Sequence, residues 1–176
     1  MFRVIHESLR ARPLTAVPAP SRFSDPAGAY AVLYAAESVR CCFWEAVVRN
    51  RLTRNQRREL PRADIEVRHV VSLESREDLT LVDLRGDGPI RIGASPAVTH
   101  DTNHAAGRAL SAATFADVPE ADGFMFQSRF MGHRCVAVFD RAIAKLNGIG
   151  VTPLIEHADF LEALDDYDIL LTTPPA

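Results

Sequence analysis

The sequence predicts an α+β fold with mixed, largely antiparallel sheets and flanking helices, on three observations. Strand-like runs are frequent and do not alternate strictly with long helices, as a doubly wound parallel sheet requires. Two of them, GFMFQS (123–128) and RCVAVFD (134–140), are joined only by the short link RFMGH. A chain of 176 residues with 47% hydrophobic content also suffices for one domain, residues 1–176, with a real core.

The elements follow in order. Phe2, Val4 and Ile5 around Arg3 read as a first strand, not as an organelle transit segment. Residues 11–29, ARPLTAVPAPSRFSDPAGA, hold four prolines and a glycine, so neither helix nor sheet ladder runs through them, and Arg22 sits in a loop. The run YAVLY ends a second strand at Tyr34. Ser38 caps a helix whose apolar positions Val39, Cys42, Phe43, Ala46 and Val47 form a buried stripe, with Glu45 on its flank. An arginine-rich, solvated run (49–60) leads to strands at 65–73 and 79–84, then a turn at Gly86, Asp87 and Gly88. Residues 97–113 read as an alanine-rich helix. After the strands at 123–128 and 134–140 come a helical turn at 142–146, a strand at 151–155, a short helix at 159–164 and a last strand at 168–172.

Charge and composition exclude several classes of function. A net charge of -3 and a pI near 6.1 exert no pull toward nucleic acid or an anionic membrane. No segment approaches the roughly 18 to 20 uninterrupted apolar residues of a membrane span, and MFRVIHESLRARP lacks the apolar core of a signal peptide. The expectation is a cytoplasmic protein. Cys41, Cys42 and Cys135 cannot all pair within one chain, which suits a reduced compartment and small buried hydrophobes.

His100 and His104 are spaced to share one face of a helix and bind zinc, but no third ligand is evident and no metal is expected. Glycine-rich phosphate cradles are absent, so a nucleotide would be held by side chains. Arginine suits that task through its planar, charge-assisted fork, and Lys145 is the only lysine.

Phe2-Arg3-Val4, Ser21-Arg22-Phe23, Leu33-Tyr34-Ala35-Ala36, Glu45, Gly123-Phe124-Met125-Phe126-Gln127-Ser128-Arg129 and Val136-Ala137-Val138-Phe139, in that order, resemble the RES-domain family over about residues 1–140. The resemblance implies an ADP-ribosyltransferase-like fold and consumption of NAD as substrate. It also implies the toxin role of a toxin-antitoxin pair, with an Xre-type antitoxin as partner and a protein as acceptor of ADP-ribose. Hydrolysis or phosphorolysis of NAD is the alternative outcome, and a non-catalytic binding module the alternative class. By position, Arg3 and Arg22 would hold the pyrophosphate and ribose side, Tyr34 would stack on nicotinamide, Glu45 would be the catalytic carboxylate and Ser128 would support it or the nicotinamide ribose. Gly132-His133-Arg134-Cys135 departs from the family's Gly-Gly-x-Asn-like segment.

These residue types suit that chemistry. Loss of nicotinamide passes through an oxocarbenium-like state that a nearby carboxylate stabilises. The cationic nicotinamide ring is attracted to an aromatic face by about 0.5 to 2 kcal/mol. Each residue also has a plain structural reading: a Glu45–Arg49 surface ion pair worth about 0.3 to 0.5 kcal/mol, a packed Tyr34, an edge-strand Arg3 and a turn-forming Ser128.

Overall fold

The computed structural model describes residues 1–16, 19–25, 27–49, 51 and 58–173. Two units account for them: Met1–Pro13 with Ala36–Leu73 and Gly148–Ala176, and Leu14–Ala35 with Glu74–Asn147. Most of the expected arginine-rich run, residues 52–57, lies outside the described residues, as do residues 17, 18 and 26 of the proline-rich loop.

In the first unit, β1 (Phe2–His6) pairs antiparallel with β4 (Arg68–Ser75) from Phe2 opposite Ser72 to His6 opposite Arg68. Phe2 also faces Ala36, the last residue of β2 (Val32–Ala36). β8 (Leu146–Pro153) lies on the far side of β4. A separate parallel pair joins β3 (Glu59–Pro61) to β9 (Leu170–Thr172). Alternation along β1 and β4 turns Phe2, Val4 and Val70 toward a core of Val39, Phe43, Val47, Leu60, Ile65, Leu154 and Phe160. Helices α1 (Val39–Phe43), α2 (Arg62–Glu66) and α6 (Ala158–Asp166) supply much of that core.

The second unit orders its strands as β5 (Leu81–Asp83), β6 (Gly123–Gln127), β7 (Arg134–Phe139) and β2. β5 and β6 run parallel; β6 and β7 run antiparallel from Gly123 opposite Val138 to Gln127 opposite Arg134. Gly123 has φ 150°, and a Cβ there would run into the Ala137 carbonyl oxygen, so only glycine lets the two backbones close up. Helices α3 (Gly88–Arg91), α4 (Ala97–His100) and α5 (Ala105–Asp117) complete the unit. Its core is aromatic: Phe23 stacks on Phe124 at 4.7 Å, and Tyr30 on Phe115 at 4.3 Å. Arg141 spans the end of α5, donating to the carbonyls of Phe115, Val118 and Ala121 with its guanidinium 4.4 Å from the Phe115 ring centre.

The fold is therefore α+β with largely antiparallel strands, and the departures from expectation are local. Ile65 belongs to α2, not to a strand: Pro61 starts the helix and Ile65 is fully buried in the core, so an apolar run imitated a strand. The helix expected over 97–113 is two helices. Asp101 is extended; its carboxylate accepts the Asn103 N–H at 2.9 Å, and Asn103 in turn accepts the Ala105 N–H at 3.0 Å. These short polar side chains compete with helical hydrogen bonds and restart the chain as α5. The strand expected at 151–155 begins earlier, at Leu146, and yields to a 3₁₀ turn at Leu154–Glu156.

Candidate active site

Glu45 sits on the most unusual backbone of the first unit. Ser38 caps α1 as expected, its hydroxyl accepting the Cys41 N–H at 3.2 Å. Beyond Phe43 the helix widens into a π turn, Trp44–Val48, closed by the Arg49 N–H donating to the Trp44 carbonyl at 2.8 Å. Arg49 then leaves with φ 32°, in the left-handed region that a side chain disfavours. Single π turns within α-helices recur at functional sites. The wider turn also shifts the phase of the buried stripe: Ala46, expected inside it, is exposed, while Val47 and Val48 are buried. Glu45 is half-buried, and among the described residues Arg49 forms no ion pair, so the surface pair expected of a regular helix is not made.

Arg3 is half-buried on β1 and donates from its NH1 nitrogen to the Pro13 carbonyl at 3.0 Å. Burial lowers its pKa to about 10, with Cys42 opposing the shift, so it remains a cation at neutral pH, stripped of much of its water. Cys42 is the link between Arg3 and α1: its thiol donates to the Phe2 carbonyl at 3.0 Å. Burial pushes that thiol up to about 12, and it behaves as a buried hydrophobe; Cys41 and Cys135 are also buried and form no disulfide. Glu45 lies three residues beyond Cys42, about one turn along the helix.

A polar residue that the sequence reading passed over lies on the face of Arg3. The β1–β4 register turns Arg3 and Ile5 to the same side as Val71 and His69. His69 is 7% exposed, and among the described residues its Nδ1 has no hydrogen-bond partner. Set among valines in the strand predicted at 65–73, it carries no local signal of a polar role.

In the second unit the loop 21–23 is gripped from several sides. The Tyr34 hydroxyl accepts the Phe23 N–H at 2.9 Å and shares a hydrogen bond with Ser21 Oγ at 3.0 Å, so one phenol holds both neighbours of Arg22. Arg108 donates to the Ser21 carbonyl at 3.0 Å. Ser111 donates to the Phe23 carbonyl at 2.8 Å while accepting from the Tyr30 hydroxyl at 2.8 Å. Gly107 of α5 completes the seat: a Cβ there would come within 2.7 Å of the Arg22 carbonyl oxygen and 2.8 Å of its Cγ. Arg22 itself is buried, with NH1 donating to the carbonyls of Asp101 at 2.9 Å and Val98 at 3.4 Å. The Tyr34 ring is half-buried, edge-on to Phe126 at 6.4 Å.

Ser128 follows β6, two residues after Phe126, and is 2% exposed. Its hydroxyl accepts the N–H groups of Phe130 at 3.2 Å and Met131 at 3.3 Å, and its own N–H donates to the His133 carbonyl at 2.8 Å. It builds the loop between β6 and β7, which contains Gly132 at φ 68°. Arg3 and Glu45 thus belong to the first unit, and Arg22, Tyr34 and Ser128 to the second. His100 closes α4 and His104 precedes α5, so the two do not share a helix face. Among the described residues no group of three His, Cys, Asp or Glu is arranged to hold a metal ion.

A family model described as RES domain matches residues 1–160, a span that contains all five candidate residues. The chain belongs to the RES domain family. This RES chain is 32% identical over 108 residues to the "Probable toxin y4kH" of Sinorhizobium fredii, which covers 61% of this chain and 85% of that protein. Its fold is similar to that in the crystal structure of the M. tuberculosis MbcT-MbcA toxin-antitoxin complex, with a TM-score of 0.62 at 15% identity over 92% of this chain and 86% of the other. Among the described residues no helix of the RES chain is long and apolar enough to cross a membrane.

Proposed function

We propose that this RES chain is the toxin of a bacterial toxin-antitoxin pair, working in the cytoplasm as one ADP-ribosyltransferase-like domain that cleaves the nicotinamide–ribose bond of NAD and passes ADP-ribose to a protein. The observation that carries the reading is the placement of Glu45. It stands half-buried on a π turn, one turn beyond the cysteine whose thiol is fastened to β1 beside the Arg3 guanidinium. A carboxylate and a partly desolvated cation so arranged suit the sugar and phosphate ends of a dinucleotide. The relative named a probable toxin supports the biological role.

In this reading Arg3 binds the pyrophosphate. Arg22, held by the carbonyls of Val98 and Asp101, shares with Arg3 the pyrophosphate and ribose side. Tyr34 faces the nicotinamide ring, and Ser128 stiffens the loop beside it. As the glycosidic bond breaks, its electron pair leaves with nicotinamide, and the ribose C1′ acquires positive charge. Glu45 steadies that charge and holds the 2′-hydroxyl. A nucleophile of the acceptor protein then bonds to C1′ and releases its proton. An Xre-type antitoxin restrains the enzyme, and neither nucleic acid, membrane nor metal enters the reaction.

Incubation with NAD labelled in the ADP-ribose half tests the proposal. Label on protein is expected; label on free ADP-ribose or on a phosphorylated sugar would assign hydrolysis or phosphorolysis instead. Glu45→Gln, nearly isosteric and uncharged, is expected to lower nicotinamide release at least 100-fold, in keeping with the loss of an electrostatic stabiliser of the transition state. A Glu45→Gln chain that releases nicotinamide and arrests growth like the parent would return the protein to the class of binding modules.

A further inference from the structure

His69 stands on β4 in surroundings that leave part of its ring unsatisfied. The β1–β4 register sets His69 opposite Ile5 and Val71 opposite Arg3, and the alternation of both strands turns these four residues to one face. Phe2, Val4 and Val70 point the other way, into the core of the first unit. Ile5 and Val71 are buried and offer His69 no side-chain donor or acceptor. The imidazole is buried with them, and among the described residues its Nδ1 has no hydrogen-bond partner. A buried polar atom of this kind is destabilising unless something completes its hydrogen bond.

The neighbour on the same face indicates what completes it. Arg3 lies diagonally across the strand pair from His69, about 7 to 8 Å away at the backbone, a spacing that long and aromatic side chains bridge. Its guanidinium is anchored on that face by NH1, which donates to the Pro13 carbonyl at 3.0 Å. A phosphate drawn to this cation arrives next to the imidazole. His157 makes the contrast. Its Nδ1 also lacks a partner among the described residues, but its ring stands edge-on to Phe2 at 6.4 Å, a side chain on the opposite face of β1 from Arg3.

We propose that His69 is a further substrate-binding residue, its Nδ1 donating a hydrogen bond to an oxygen of the pyrophosphate that Arg3 holds. The inference rests on the NAD reading and adds a directional partner to the Arg3 charge. A phosphate oxygen only accepts, so the bound ligand selects the imidazole form with its proton on Nδ1. The ring then serves binding at the expense of the empty fold, and its replacement acts in opposite senses on stability and on affinity.

His69→Leu is expected to fold with a urea midpoint no lower than the parent's, and to raise KM for NAD about 10-fold or more at an unchanged kcat. His69→Asn, which keeps a polar atom where Nδ1 lies, is expected to restore most of the affinity. Nitrogen NMR of isotope-labelled histidine in the parent supplies a direct readout, the His69 signal being assigned by its loss in His69→Asn. The Nδ1 resonance is expected to move on titration with ADP-ribose and to stay in place with nicotinamide. This titration decides the matter even where a variant does not fold, and an Nδ1 signal that ADP-ribose leaves unmoved would overturn the proposal. A parent that consumes NAD while His69→Leu keeps its KM, or while Leu and Asn raise KM equally, would overturn it too and leave the NAD reading standing. An ADP-ribose shift in a parent that leaves NAD intact would uphold the binding role and reject the cleavage reading.

Discussion

Removing a single oxygen tests how the Arg22 loop is held. Tyr34→Phe deletes the hydroxyl that accepts the Phe23 N–H at 2.9 Å and shares a hydrogen bond with Ser21 at 3.0 Å. The ring stays, with its neighbours Phe126 at 6.4 Å and Phe23 at 6.5 Å, so no cavity opens. The cost therefore comes from polar groups alone. A buried donor that loses its acceptor costs about 1 to 3 kcal/mol, and the Ser21 hydroxyl, only partly buried, adds less because it can turn to water. A net loss near 2 kcal/mol lowers the melting temperature by roughly 4 to 8 °C in a chain of this size. Urea denaturation should show a lower midpoint at an unchanged m-value, and hydrogen exchange should quicken at the Phe23 amide. In the NAD assay the retained aromatic face preserves kcat while the loosened loop raises KM. An unchanged urea midpoint would refute the claim that this hydroxyl fastens the loop. A fallen midpoint with unchanged KM would remove the Arg22 loop from substrate binding.

Two further outcomes follow from neighbouring features. Gly107→Ala gains about 1 kcal/mol of helix propensity, yet its Cβ would lie 2.7 Å from the Arg22 carbonyl oxygen and 2.8 Å from its Cγ; overpacking of that kind costs about 1 to 3 kcal/mol. The expected balance is a lower urea midpoint with faster exchange at residues 21–23, and a variant more stable than the parent would contradict the close seat. The Cys42 thiol is raised from its ordinary 9.0 to about 12 by burial, so the folded chain holds this proton more tightly than the unfolded one. Its contribution is intact below pH 9.0 and is lost as pH rises toward 12; Arg3, lowered from 12.5 to about 10, acts in the opposite sense above about 10. Urea midpoints should therefore fall with pH just above 9.0 in the parent and fall less in Cys42→Ala, and equal slopes would rule out this linkage.

What the sequence announced and what it concealed divide by the range of the interactions. Alternation in FRVIH and the turn-linked runs 123–128 and 134–140 reveal strands because the period of two is local. Ser38 reveals a cap for the same reason, since its hydroxyl reaches only to the Cys41 N–H. The π turn leaves no such mark. A helical projection at one fixed period places Ala46 inside and allows Glu45 to pair with Arg49, and a single residue of altered pitch reverses both. Asp101 and Asn103 show the opposite bias, for an alanine-rich composition outweighed two short side chains whose backbone bonds divide the helix. The seat of Arg22 was least legible of all, because Tyr34, Arg108, Ser111 and the Asp101 carbonyl reach residues 21–23 across 11 to 88 positions of sequence, and of these only Tyr34 lies in a motif. It follows that the residue types expected of dinucleotide chemistry can be listed from the chain, whereas the scaffold that immobilises them is built by small polar side chains unremarkable in sequence. Mutations in that scaffold, Ser111 foremost because its hydroxyl relays Tyr30 to Phe23, should impair the site as severely as changes to residues that touch substrate.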